Sequence, residues 1–180
     1  MSVVVRRVGT RGLMVDLPDL TAVMDWHAGL SAQPLPHQTD VVAAARTVLL
    51  TFDSPTATRE AAQVLEHYSP GESHRVEPHD VVIDVLYDGA DVEELAQHLG
   101  MTADELIAWH TGIEWVAGFG GFAPGFTYCV PANPADALDV PRRPSPRTAV
   151  PAGAVALAGD FSAVYPRVSP GGWQLIGTTR

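Results

Sequence analysis

Hydrophobic positions along the chain repeat with two different periods. VVVRRV (3–8) and GLMVDL (12–17) predict two short strands joined at Gly9-Thr10. Leu20, Val23, Met24 and His27 then recur at helical spacing, with Asp19 placed as an N-cap. Val41–Phe52 is rich in β-branched and small apolar residues and is broken near Ala45-Arg46, which predicts a hairpin ending in TVLLTF. Ser54 sets a capping hydroxyl before Pro55 at the first helical position, and Ala57, Ala61, Val64, Leu65 and Tyr68 form one face of the helix that follows. This order of strands and helices predicts a small ferredoxin-like α+β layer.

Beyond a polar, turn-rich link at Ser69–Pro78, VVIDVLYD (81–88) predicts a further strand. Two short helices come next, each with a capping residue and a Glu three positions on: Asp91 with Glu94, then Thr102 with Glu105. His110 shares a face with Ala103, Leu106 and Ile107, so it is expected to point into protein. From Ile113 onward short apolar runs (IEWVAGF, VALAG, AVYPRV, WQLIG) alternate with Pro/Gly turns, the pattern of a β-barrel or sandwich. The fold class is therefore α+β, with an N-terminal α+β domain at 1–78 and a β-barrel domain at 79–180.

Composition narrows the functional classes. The 180 residues carry 21 acids against 11 basic residues, a net charge of -10, which argues against nucleic acid or an anionic membrane as partner. All 11 basic residues are Arg, so lysine-dependent chemistry, including a P-loop lysine or a Schiff base, is excluded. The charge is also uneven. Residues 1–120 hold 18 acids and 6 Arg, whereas 121–180 hold 3 acids and 5 Arg together with a high share of Pro and Gly. The single Cys129 cannot form an intrachain disulfide and lacks a neighbouring His or acid, which suits a structural thiol. Seven His without HExxH or paired-Cys spacing predict no metal. MSVVVRRVGTRG has Arg and Gly where a signal core would be apolar, and no apolar run approaches the ~18 residues of a membrane span, so a soluble cytoplasmic protein is expected.

Three segments can carry chemistry. GFGGFAPGFTY (118–128) offers either a tight β-turn or a ligand-lining loop, with Phe119, Phe122, Phe126 and Tyr128 able to wall off an apolar pocket. It lacks G-x-G-x-x-G spacing and predicts no phosphate loop. PRRPSPR (141–147) sets Arg142, Arg143 and Arg147 in a Pro-stiffened loop, suited either to a carboxylate, phosphate or acidic partner surface or to pairing with the acidic N-terminal half of the same chain. SPGGWQLIG (169–177) is a tight turn through Gly171 and Gly172 into a strand, with Trp173 placed in the core and Gln174 able to read an amide or lactam.

These motifs carry a resemblance. YDGADVEELAQHLGMTADELIAWHTG, GFAPGFTYC, PRRPSPRTAVPAGAVALAG and YPRVSPGGWQLIGTT, in that order, resemble the family that includes the B component of bacterial 5-oxoprolinase, allophanate hydrolase subunit 1 and the KipI-type kinase inhibitor. The similarity is close over 80–179 and weaker over 1–79. The family's motif positions include His110, Phe122, Pro124, Gly125, Phe126, Tyr128, Arg142, Arg143, Arg147, Gly171, Gly172 and Gln174. Asp160-Phe161-Ser162-Ala163 departs from the family's Gly-Gln-Thr-Gly-like turn, and Arg180 falls where the family runs on into a further strand, so an open barrel edge is expected.

The resemblance implies an N-terminal α+β domain and a cyclophilin-like β-barrel without isomerase activity. It implies a complex with a homologous cyclophilin-like partner, of the type of the 5-oxoprolinase C component or of allophanate hydrolase subunit 2, with the 5-oxoprolinase A component as a further member. That complex hydrolyses 5-oxo-L-proline to L-glutamate with ATP. ATP belongs to the complex, since this chain has no motif for it. Within the resemblance His110 and Gln174 are the expected catalytic groups, and Phe122, Pro124, Gly125, Phe126, Tyr128, the three Arg, Gly171 and Gly172 bind a small anionic substrate. The alternatives are a urea carboxyltransferase component and a histidine-kinase inhibitor.

Overall fold

In the computed structural model, which describes residues 3–71 and 79–180, the chain divides into Met1–His79 and Asp80–Arg180. The link expected at Ser69–Pro78 lies largely outside the described residues. The first unit runs β1 (Val4–Val8), β2 (Gly12–Asp16), α1 (Leu20–Ala32), β3 (Gln38–Ala43), β4 (Thr47–Phe52) and α2 (Pro55–Leu65). Its sheet has the order β1-β2-β4-β3 with every pair antiparallel. β2, α1 and β3 form a split βαβ with β4 between the strands, as the ferredoxin-like reading requires. The edge strand that such a layer takes after its second helix is here supplied by β1, which precedes the first helix in sequence.

Alternation builds this unit's core. β4 turns Val48, Leu50 and Phe52 inward, and Leu13 and Val15 of β2 join them. The two helices cover that face with Val23, Trp26 and Leu30 from α1 and Ala57, Ala61 and Leu65 from α2. Both predicted caps form, Asp19 Oδ1 accepting from the Ala22 N–H at 2.8 Å and Ser54 Oγ from the Ala57 N–H at 3.2 Å. The helix faces are rotated from expectation: Met24 and Val64 are exposed, because Trp26 and Leu30 supply the larger area on α1 and the small Ala57 and Ala61 let α2 approach the sheet.

The second unit comprises α3 (Val92–His98), α4 (Ala103–Gly112), β5 (Trp115–Gly120), β6 (Thr127–Pro131), a 3-10 turn (Pro134–Asp136), β7 (Arg147–Val150), β8 (Ala154–Ala158), β9 (Phe161–Val164), β10 (Ser169–Gly171) and β11 (Gln174–Thr178). A five-stranded antiparallel sheet has the order β11-β8-β9-β6-β5, and β10 and β7 form a separate two-stranded ribbon. The expected barrel thus appears as a sheet and a ribbon sharing one core, with Val150 of β7 packed in the cluster of Ala154, Ala156 and Ala158 of β8.

β8 is buried along its whole length. Its even residues, Ala154, Ala156 and Ala158, face an aromatic cluster of Phe126, Tyr165 and Trp173. Its odd residues, Val155 and Leu157, face the layer of α3 and α4 through Leu95 and Leu106. The sheet is therefore a septum with a different core on each side. α4 starts with the complete capping box expected at Thr102 and Glu105, whereas Asp91 before α3 makes no side-chain cap bond.

The strand predicted at 81–88 does not form. The segment makes only one ladder contact, an antiparallel bridge between Leu86 and Thr178, and Val81 and Val82 are 78% and 90% exposed. Apolar composition on both faces read as a buried strand, but no described strand lies alongside before Leu86. Past that bridge the chain hugs β11, with Gly89 N–H donating to Ile176 O and Asp91 N–H to Leu175 O. A Cβ on Gly89 would strike the backbone of Leu175 and Ile176. Gly89→Ala is expected to destabilise this unit by about 1–3 kcal/mol in urea unfolding, while Gly112→Ala, with open space at its Cα, leaves the midpoint unchanged or raises it.

Candidate functional site

The β5–β6 hairpin, the loop before β7 and the β10–β11 turn converge on one pocket of about 80 Å³. Phe122, Phe126, Tyr128, Arg142, Tyr165, Pro170, Gly171, Gly172 and Trp173 line it. Phe126 is the hub, with ring centroids 5.0 Å from Tyr128, 5.2 Å from Tyr165, 5.3 Å from Phe122 and 5.6 Å from Trp173. Edge-to-face packing of this kind fixes ring orientation and leaves a rigid apolar wall. The alternatives left open for GFGGFAPGFTY merge: it is a hairpin turn whose aromatic residues line a pocket. Phe122 sits there at φ +61° with its side chain 61% exposed, and Gly125 takes φ +80° beside it. A left-handed aromatic residue at a pocket mouth is backbone strain of the kind that surrounding structure must hold in place.

The three Arg of the loop separate. Asp91, only 2% exposed, accepts from Arg143 Nη1 at 2.5 Å and from Arg147 Nη2 at 2.7 Å through one carboxylate oxygen. Its other oxygen accepts from the Leu175 N–H at 2.7 Å. Burial alone would raise the Asp91 pKa, but the hydrogen bonds from Arg147 and Leu175 and the charges of Arg147 and Arg143 outweigh it and hold the carboxyl below its usual value. Arg143 and Arg147 are thus bound to the chain's own acid. The alternative in which this loop pairs internally holds for these two, although the acid comes from the second unit. Arg142 has no ion pair among the described residues; its guanidinium lies 5.9 Å from the Trp173 ring centroid at the pocket.

His110 is far from this arrangement in topology. It lies on α4, on the helix-layer side of the septum, with Tyr87 Oη 2.7 Å from Nδ1 and Ser162 Oγ 3.0 Å from Nε2. Trp115 Nε1 donates to its backbone carbonyl, and Trp109 and Trp115 pack against its ring. Burial lowers its pKa to about 4, so the imidazole is neutral at physiological pH. The expectation from the resemblance that His110 is catalytic is corrected for this pocket: it points into protein, as its helix face predicts, with both ring nitrogens hydrogen-bonded, and it does not line the pocket. Gln174 is corrected in the same way, because its Nε2 donates to Pro141 O at 2.9 Å and tethers the Arg loop to β11 instead of lining the pocket.

Of the residues singled out from the sequence, the pocket gathers Phe122, Phe126, Tyr128, Arg142, Gly171 and Gly172. Pro124 and Gly125 shape the hairpin turn outside the lining, and Arg143, Arg147, His110 and Gln174 are engaged elsewhere. Sequence reasoning missed Tyr165 and Trp173 as pocket walls and Asp91 as the clamp. Asp91 was hidden because Asp-x-x-Glu at a helix start reads as a cap. Tyr165 alternates with the inward Ala163 at the end of β9, a period-2 signal that could have placed it. The Cys129 thiol is raised by burial, as suits a structural role. Among the described residues no group of three or more His, Cys, Asp or Glu could hold a metal ion, and no helix is long and apolar enough to cross a membrane.

A septum of β-strands carrying an aromatic pocket on one face and a helix pair on the other matches a known class. The chain belongs to the family of the carboxyltransferase domain, subdomains C and D, whose model matches residues 3–180. Over 113 residues it is 42% identical to the B component of 5-oxoprolinase from Escherichia coli O157:H7, a match that covers 60% of this chain and 51% of that protein. The B component of Bacillus subtilis (strain 168) 5-oxoprolinase is 41% identical over 111 residues, 60% of this chain and 45% of that protein. The chain thus spans about half the length of the curated relatives it matches. Among solved structures, TTHA0988 is 32% identical with a TM-score of 0.74, covering 94% of this chain and 35% of that one. The urea amidolyase of K. lactis superposes with a TM-score of 0.76 at 17% identity, over 98% of this chain and 13% of that one, a likeness of fold alone.

The two buried groups predict separate pH windows for stability. His110 has a folded pKa below its unfolded value, so the unfolded state binds more protons between about pH 6.5 and 4 and stability falls as pH drops through that window. Burial this deep makes the loss on the order of 3 kcal/mol, and a His110→Phe variant should show no loss there in urea titrations at fixed pH. Asp91, whose folded pKa is depressed, contributes stability above its unfolded value near 4 that is lost at still lower pH. Asp91→Asn, which leaves two Arg uncompensated, is expected to cost about 3–5 kcal/mol at neutral pH.

Proposed function

We propose that this chain is the B component of a 5-oxoprolinase and holds 5-oxo-L-proline in the Phe126–Trp173 pocket. The net reaction consumes two waters: one adds across the ring amide, breaking the C–N bond to give L-glutamate, and the other balances the conversion of ATP to ADP and phosphate. The supporting observation is the division of labour in the Arg loop: Arg143 and Arg147 share the Asp91 carboxylate, and Arg142, with no ion pair among the described residues, lies at the mouth of an aromatic pocket. A small ring carrying one carboxylate fits that chemistry, apolar faces against Phe126 and Trp173 and the anion on Arg142. The names of the bacterial relatives agree with this reading.

The chain supplies binding and orientation. It has no lysine and no phosphate loop, so ATP is held by another member of the complex. A homologous cyclophilin-like partner, the C component, and the larger A component complete the assembly in the cytoplasm. His110 and Gln174 maintain the scaffold in this reading.

The test is ATP-dependent glutamate release by the chain co-expressed with the A and C components. Arg142→Ala is expected to raise KM for 5-oxoproline by about 10-fold or more, consistent with loss of a charge-assisted bond. The same change should leave the thermal midpoint in place, since Arg142 makes no ion pair among the described residues. An assembled complex that releases no glutamate, or an unaltered KM in the variant, would overturn the reading.

A further inference from the structure

Tyr165 is 2% exposed and among the largest fully buried side chains, yet it belongs to the pocket wall. Its ring is fixed edge-on to Phe126 at 5.2 Å. The hydroxyl end, not the ring edge, is what abuts Gly171, because a Cβ added at Gly171 would collide first with Tyr165 Oη. Gly171 itself lines the pocket, so the hydroxyl sits at the cavity surface. That hydroxyl has no hydrogen-bond partner among the described residues. The hydroxyl is not among the fully buried unpaired polar atoms, so it keeps access to the cavity, where it is free to donate to a ligand acceptor and to select against an analogue that lacks one.

We infer that the Tyr165 hydroxyl is the specificity-determining donor of this pocket, hydrogen-bonding the carbonyl oxygen of a small ring amide whose carboxylate rests on Arg142. The inference depends on the 5-oxoproline reading and assigns the lactam oxygen to a residue that the sequence motifs left without a role in the site. Gln174, the other group able to read a lactam, donates one amide N–H to Pro141 O and is not part of the pocket lining. Glycine at 171 is then a requirement of the site, since any side chain there would displace the hydroxyl. Pocket size agrees: about 80 Å³ is far below the several hundred Å³ that drug-sized ligands fill, so the ligand is a single small ring.

Calorimetric titration of the full chain with 5-oxo-L-proline and with cyclopentanecarboxylate separates the two polar groups. The second ligand keeps ring and carboxylate and lacks the carbonyl. Tyr165→Phe is expected to weaken 5-oxoproline about 10-fold and leave cyclopentanecarboxylate unchanged, whereas Arg142→Gln weakens both. Equal 5-oxoproline affinity in wild type and Tyr165→Phe overturns the inference while leaving the carboxylate reading intact. Saturable binding of neither ligand by the wild type overturns both. If Tyr165→Phe fails to fold, the wild type alone decides: a preference for 5-oxoproline of about 10-fold supports the donor, and a ratio near one removes it.

Discussion

The second unit depends on one carboxylate. Asp91 closes the approach to α3, receives the Leu175 N–H from β11 and gathers Arg143 and Arg147 from the loop leading into β7. Three segments distant in sequence are thereby tied at a point that is almost fully dry. The Coulomb attraction of two guanidinium groups and three hydrogen bonds offset the desolvation of the acid; without them a charge so placed would not remain ionised. The pocket inherits its geometry from this knot. With Arg143 and Arg147 drawn back to Asp91, the loop presents Arg142 alone to the aromatic wall.

The septum is the second organising device. A strand of alternating small and branched residues, Ala154-Val155-Ala156-Leu157-Ala158, can be buried on both faces because each face makes a different demand. Alanine on the aromatic side leaves volume for Phe126, Tyr165 and Trp173. Val155 and Leu157 on the other side fill the gap to α3 and α4. His110 shows the same logic for polar groups: both ring nitrogens find hydroxyl partners, so a neutral imidazole is tolerated where a charged one is not.

Much of this was legible from residue patterns, and the failures have physical causes. Local signals held where the interaction is local: the caps at Asp19, Ser54 and Thr102, the turn at Gly9 and the break before β4 involve neighbours in sequence. The ferredoxin-like layer follows from the order of its strands and helices, with β4 alternating along its whole length. The strand reading of 81–88 failed because pairing depends on what lies alongside, which periodicity does not reveal. Asp91 and His110 were misassigned for a related reason. An acid before a helix is read as a cap by proximity in sequence and the catalytic role of His110 rests on resemblance, whereas the partners of Asp91 are 52, 56 and 84 residues away and Ser162 is 52 residues from His110. Aromatic and glycine positions are more legible, since Phe122, Phe126, Tyr128, Gly171 and Gly172 of the pocket lining fall within two short motifs.

The two-sided strand β8 has a consequence for how such a protein can diverge. The β8 side chains turned toward α3 and α4, Val155 and Leu157, pack in a different cluster from those turned toward the aromatic cage. Replacements at Leu95 and Leu106 can therefore retune thermal tolerance apart from recognition, exchanges at the exposed Phe122 can redirect recognition, and Asp91 at the head of α3 is the point where the two are coupled. An architecture divided in this manner assigns the positions that hold the scaffold and most of those that meet a ligand to opposite faces of one strand.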